Sequence, residues 1–193
     1  MGRMNVKDYC QIAVFTAIIC VVSQLSIPMP AGVPMTLQTF VIPMAAVVLG
    51  TSKGTASTVL YVILGMIGVP VFAGFSGGFD KIFGMTGGFI ISFPLLAFFA
   101  GIGYSYAIKV ADKRKKALFY SVFVMGLFVG TALNYLVGTL WFSVITGNSL
   151  SYSFMVCVLP FIITSLIKIC MIAFLGPVLR RAMIRSGVLE APV

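Results

Sequence analysis

The sequence predicts an all-α, polytopic membrane protein with six membrane-spanning helices and both chain ends on the cytoplasmic face. Three observations carry that prediction. Of the 193 residues, 60% are hydrophobic and 9% charged, against roughly 45–50% and 25% in soluble domains. Mean hydropathy is +1.13. Long stretches hold no charged residue at all, and the basic residues gather in segments that alternating spans would place on one side.

The elements follow from the uncharged runs. No Asp, Glu, Lys or Arg occurs from Tyr9 to Ser52, enough for two crossings of about 20 residues. These are read as spans one (9–26) and two (35–50). Gly54–Phe79 holds span three (54–70), and Ile82–Ile108 holds span four (88–108). From Ala117 to Leu179 the sole charge is Lys168, and the polar stretch Gly147–Ser151 divides the run into spans five (117–145) and six (154–179). Spans two and three are short for a bilayer core of about 30 Å. Pro43 and Pro160 fall inside apolar runs, where proline bends helices. Arg3 and Lys7 precede the first apolar segment as in a signal peptide. Its length, and the lack of a small-x-small cleavage site, predict that it is retained. The whole chain, 1–193, is read as a single membrane domain.

Orientation follows from Lys and Arg. Six spans place Arg3, Lys7, Lys53, Lys109, Lys113, Arg114, Lys115, Lys116, Arg180, Arg181 and Arg185 on one face, which the positive-inside rule makes cytoplasmic. The net charge of +9 therefore reads as topology, with headgroup contact by the Lys113–Lys116 cluster the lesser reading, and not as nucleic-acid binding. Histidine is absent and only four residues are acidic, which removes imidazole catalysis, histidine metal sites and most paired-carboxylate chemistry. No enzyme is predicted, and no metal or cofactor is assigned to this chain. A stand-alone secondary transporter is the alternative class, but it would want an intramembrane carboxylate to carry protons. Cys10, Cys20, Cys157 and Cys170 lack paired spacing and are read as buried apolar side chains.

The opposite face carries the unusual features. Eight of the chain's 20 glycines fall between Gly65 and Gly88. Interior glycine costs a helix about 1 kcal/mol relative to Ala, so this segment is read as a loop offering backbone groups to a ligand. Phe72, Phe75, Phe79, Phe83 and Phe89 favour an ordered lid over a flexible tether. The first outer loop, from Pro28 to Pro34, is proline-rich and leads to Thr36, Gln38 and Thr39. Segments of about 27–36 and 71–88 are thus two ligand lids. Lys168 lies in span six with no intramembrane acid to pair with, an expensive placement. A ligand carboxylate in a water-accessible cavity is preferred as its partner; a neutral amine, or a bond to carbonyls freed near Pro160, are the alternatives. Ser165, one turn earlier, shares its face. Tyr135, Gly138 and Trp141 form a stripe on span five beside Asn134, readable equally as packing or as the slot for a flat ligand. Ala13/Ala17 and Gly126/Gly130 are small-xxx-small steps that let helices approach closely.

These residues carry a resemblance. Val33–Phe40, Gly68–Gly78, Thr86–Phe89 and Tyr135-x-x-Gly138-x-x-Trp141 together resemble the BioY family, the biotin-binding S-component of energy-coupling factor (ECF) vitamin transporters. The resemblance implies a six-helix subunit of the prokaryotic cytoplasmic membrane that captures biotin from outside. It implies a membrane coupling partner, the T-component, and two cytoplasmic ATPases that use the ATP. It implies ligand contacts from Gln38, Gly74, Ser76, Gly77, Gly78, Thr86, Gly87, Phe89, Tyr135, Trp141, Ser165 and Lys168, and a coupling face at Ala13 and Ala17. Ser165 stands where the family often has an Asp for the ureido group, and Ile90 where some members have a basic residue. A different small carboxylate vitamin is the alternative ligand.

Overall fold

The computed structural model describes residues 5–29, 32–110 and 115–189. The chain is mostly helical: α1 (Val6–Val22), α2 (Gln38–Leu49), α3 (Thr51–Met66), α4 (Phe79–Phe83), α5 (Gly87–Val110), α6 (Lys116–Thr146), α7 (Leu150–Cys157) and α8 (Ile162–Arg185). Arg3, Lys113, Arg114, Pro30 and Ala31, used above, lie outside the described residues. Among the described residues, α5, α6 and the segment Leu150–Arg185 are long and apolar enough to cross a membrane. Dozens of large apolar side chains face outward, among them Val14, Ile63, Phe128 and Phe174. That is the expected outside of a chain whose solvent is hydrocarbon.

The packing is that of a bundle with α2 at its centre. Ten of its twelve residues are buried, so it faces neighbouring helices and not lipid. At about 1.5 Å per residue it is far shorter than a bilayer core, and it can be, because its ends abut protein. Span two was expected from residue 35; instead Met35–Thr36 is a strand (β2) paired antiparallel with Ser26–Ile27 (β1). The two strands form the arms of a small hairpin. Close helix crossings use small residues. The Cα of Gly103 on α5 lies against that of Gly126 on α6, where a Cβ on either would collide with backbone, so the Gly126/Gly130 step serves internal packing.

Polar contacts clamp the two ends. At the basic end, Lys53 Nζ donates to Asp8 Oδ1 at 2.6 Å and to Gln11 Oε1 at 2.7 Å. Arg180 Nη1 donates to the Val47 and Val48 carbonyls at 3.0 and 2.9 Å, which α2 leaves without helical partners at its C-terminus. Its guanidinium also lies 5.5 Å from the Tyr104 ring centroid. Both residues were read as topology signals; both also hold helices together.

Three expectations are corrected. Pro160 does not bend one continuous sixth span: Leu159–Phe161 form a 3-10 turn that separates α7 from α8, because proline lacks the N–H an α-helix needs there. The glycine-rich segment contains a helical turn, α4, which begins after Gly78 at φ 104°. Of the four cysteines only Cys157 is buried; Cys10 and Cys170 are exposed on the bundle flank.

Candidate functional site

Between the hairpin and the glycine-rich segment lies a cavity of about 370 Å³, within the roughly 300–1,000 Å³ range of small-molecule sites. The hairpin supplies Val33, Pro34 and Thr36, and the start of α2 supplies Gln38 and Thr39. The opposite rim comes from Ser76, Asp80, Lys81, Met85 and Thr86. Phe72, Phe89, Ile90, Phe93, Tyr135 and Phe161 make the walls, joined by Asn134, Cys157 and Lys168.

The rim is ordered, though by only some of the aromatics credited with it. Phe72 and Ser76 exchange backbone hydrogen bonds of 2.8 and 3.3 Å, closing a tight turn through Gly74 (φ 69°) and Phe75 (φ 55°). Gln24 at the end of α1 then pins the turn: its Oε1 accepts from the Phe75 N–H at 2.8 Å and its Nε2 donates to the Val71 carbonyl at 2.9 Å. Phe72 is 2% exposed and anchors the segment, whereas Phe75, Phe79 and Phe83 point outward.

Lys168 is in the cavity wall, and its ammonium is not left bare. Nζ donates to the Thr36 carbonyl at 2.7 Å and to Thr39 Oγ1 at 2.9 Å. Those acceptors lie on β2 and α2, not near Pro160. An ammonium has three N–H donors, so one remains for an acceptor in the cavity. Gln38 is also engaged: Nε2 donates to the Tyr61 hydroxyl at 2.6 Å, and Oε1 accepts from the Thr36 hydroxyl at 2.9 Å. The polar floor is a connected network from α8 through β2 and α2 to α3, its groups aimed before any ligand arrives.

Of the ligand contacts that the resemblance implies, Gln38, Ser76, Thr86, Phe89, Tyr135 and Lys168 line this cavity, beside Thr36, Thr39, Phe72 and Asn134, which the sequence reading also named. The others do not. Ser165 lies behind Tyr135, its Oγ 2.6 Å from the tyrosine hydroxyl, and faces an apolar groove between α6 and α7–α8. Trp141 donates from Nε1 to the Gly84 carbonyl at 3.0 Å and so holds the rim without touching the cavity. Gly87 packs beneath that indole and the Ile82 carbonyl, and Gly77 beneath the Val69 carbonyl. Gly74 and Gly78 shape the backbone at positive φ. Gly138 makes room for the Phe89 ring, which meets Tyr135 edge-on with centroids 6.4 Å apart. The stripe on α6 is thus packing that sets two cavity walls. Ala13 and Ala17 are exposed on α1, away from the cavity.

As lining residues the sequence reading missed Phe93, Cys157 and Phe161; Phe72, Asp80 and Lys81 fell within its 71–88 lid, and it gave Asn134 no role of its own. A signal existed for Asn134, since an amide inside an apolar span needs internal partners. For the remainder none did, because nothing local says which way a wall or lid residue turns.

The BioY family model matches residues 1–185. The chain belongs to the BioY family. A probable biotin transporter BioY of Pyrococcus horikoshii is 40% identical, over 86% of this chain and 91% of its own length. The biotin transporter BioY2 of Lactococcus lactis subsp. cremoris is 34% identical over 95% of each chain. Among solved structures, the crystal structure of the S-component for biotin from an ECF-type ABC transporter superposes with a TM-score of 0.80 and 27% identity. That likeness covers 93% of this chain and 95% of the other. A multi-pass membrane bundle with the S-component fold is the architecture of this BioY-family chain.

Proposed function

We propose that this BioY-family chain is the substrate-capture subunit of an ECF-type transporter, and that it binds biotin in the cavity between its two lids. One observation carries the reading: a partly polar cavity, floored by the Lys168–Thr36–Gln38 network, in a chain that matches a biotin S-component along nearly its whole length. The role is capture and not catalysis. Biotin is a fused ureido and sulfur ring bearing a valerate tail. Apolar walls from Phe72, Phe89, Phe93 and Phe161 suit the rings and the alkyl chain. Two ammonium groups, on Lys168 and Lys81, suit the carbonyl and carboxylate acceptors.

Capture from the outside requires the lids to face outward. In this reading α1, α2, α3, α5, α6 and α8 are the six membrane crossings. The end holding Lys53, Arg180, Arg181 and both chain termini is then cytoplasmic in a prokaryotic cytoplasmic membrane. The energy comes from partners: a T-component against the exposed Ala13/Ala17 face of α1 and two ATPases that consume ATP. No cofactor is assigned to this chain.

Calorimetry of the purified, folded protein against biotin and other small carboxylate vitamins tests the reading. Saturable one-site binding of biotin, with the other vitamins silent, supports it. A folded protein that ignores biotin and binds another of these vitamins overturns the ligand assignment.

A further inference from the structure

Asn134 sits on α6 at the back of the cavity and is 1% exposed. Its amide nitrogen spends both hydrogens on protein acceptors, the Phe89 carbonyl at 3.0 Å and Ser92 Oγ at 2.7 Å. The orientation is dictated chemically. A carbonyl oxygen can only accept, so the nitrogen and never Oδ1 must face Phe89. Ser92 is fixed in turn, because its hydroxyl proton goes to the Gly88 and Phe89 carbonyls at 2.8 and 3.1 Å. It too is left to accept from the amide. Oδ1 therefore points away from both, and among the described residues no donor reaches it. Asn134 is nonetheless part of the cavity lining.

Oδ1 is not among the fully enclosed unpartnered side-chain atoms of the described residues, so it keeps access to the cavity that Asn134 lines. A ligand that displaces water there must bring an N–H to this acceptor or leave it unpaired. We infer that Asn134 Oδ1 is a fixed acceptor that reads a ring N–H of the ligand, and so selects a cyclic urea or amide head group over one lacking that donor. This rests on biotin as the ligand, whose ureido ring offers two such donors. The acceptor is neutral and pre-aimed, so it recognises the N–H without placing a carboxylate in the membrane interior. A ligand that presents an oxygen there would meet lone pair against lone pair.

The test uses the full-length protein in lipid nanodiscs and calorimetric titration. The probes are biotin and the two cyclic carbamates in which one or the other ring N–H is replaced by oxygen. Wild-type protein is expected to bind one carbamate at least about tenfold more weakly than biotin. Asn134→Ala is expected to bind biotin more weakly and to lose most of the discrimination against that carbamate. Ser92→Ala, which removes one of the two groups orienting the amide, is expected to narrow the discrimination in part. Wild-type protein that binds both carbamates as tightly as biotin overturns the inference, whether or not Asn134→Ala folds. So does an Asn134→Ala protein that weakens biotin and carbamate equally, since that is the signature of a merely structural amide. Wild-type protein that binds none of the three removes the biotin reading itself, and with it this inference.

Discussion

The hydroxyls of Tyr135 and Ser165 meet at 2.6 Å, at the partition between the ligand cavity and an apolar groove of about 1,020 Å³ along α6 and α7–α8. Tyr135 belongs to both linings, whereas Ser165 belongs to the groove alone. Either hydroxyl can donate to the other. The pair can therefore present the cavity with a tyrosine oxygen or a tyrosine proton, as a ligand requires.

Ser165 is thus expected to act through Tyr135. Ser165→Ala and Tyr135→Phe should each weaken biotin binding by about three- to tenfold, with the double variant no weaker than the worse single one. Additive losses in a calorimetric double-mutant cycle would mean that Ser165 touches the ligand itself.

Gly138 has no room for a side chain, because a Cβ there would enter the Phe89 ring. Gly138→Val is expected to drive that ring into the cavity and lower biotin affinity at least about tenfold. Gly147→Ala, at a helix end where φ is 69° and nothing lies nearby, should cost some stability and leave affinity unchanged. A Gly138→Val protein with wild-type affinity would show that Phe89 has somewhere else to go.

Two ammonium groups line the cavity, and their surroundings differ. Lys168 already donates to Thr36 and Thr39, while Lys81 is exposed on α4 and forms no ion pair among the described residues. Lys168→Met should weaken biotin and biotin methyl ester alike by more than about tenfold, through loss of the polar floor. Lys81→Met should weaken biotin by about fivefold and spare the ester, as suits a rim charge facing the carboxylate. Titrating both ligands into both variants separates the roles, and the reverse pattern would assign the carboxylate to Lys168.

Asp8 lies before the apolar part of α1, and the Lys53 ammonium bonded to it holds its carboxyl below the usual carboxylate value, helped by the Asn5 backbone N–H. A carboxyl depressed in the folded chain contributes stability that is complete above about pH 4 and disappears as pH falls through the folded value. Asp8→Asn should therefore melt lower than wild type at pH 7, and the gap should close in acid. A gap that persists unchanged at about pH 2.5 would assign the effect to something other than this ion pair.

Ala13→Leu enlarges an exposed position on α1 and is expected to leave biotin binding intact. In cells that also hold the T-component and both ATPases, it should reduce biotin uptake severely. Normal uptake would move the coupling face elsewhere on the bundle.

Much of this protein was legible from composition and order alone. A chain with 9% charge and long uncharged runs has few choices, because hydrocarbon forces helices and pushes charge to the ends. The glycine-rich segment and Lys168 stood out as ligand-side features because each is costly without a purpose, and both border the cavity. What the sequence could not determine was direction. Whether Ser165 or Tyr135 faces the cavity depends on how α8 and α6 are rotated against each other. The rotation of α6 is fixed by packing such as Phe89 of α5 against Gly138, and its tie to α8 by the Tyr135–Ser165 contact, between segments far apart in the chain. Whether Trp141 touches ligand or braces the rim depends on where the Gly84 carbonyl comes to rest. The identity of the membrane class and the family was written in local pattern. The choice of which side chains meet the ligand was made only by the tertiary structure, since burial and hydrogen-bond partnership belong to pairs of residues and not to either one alone.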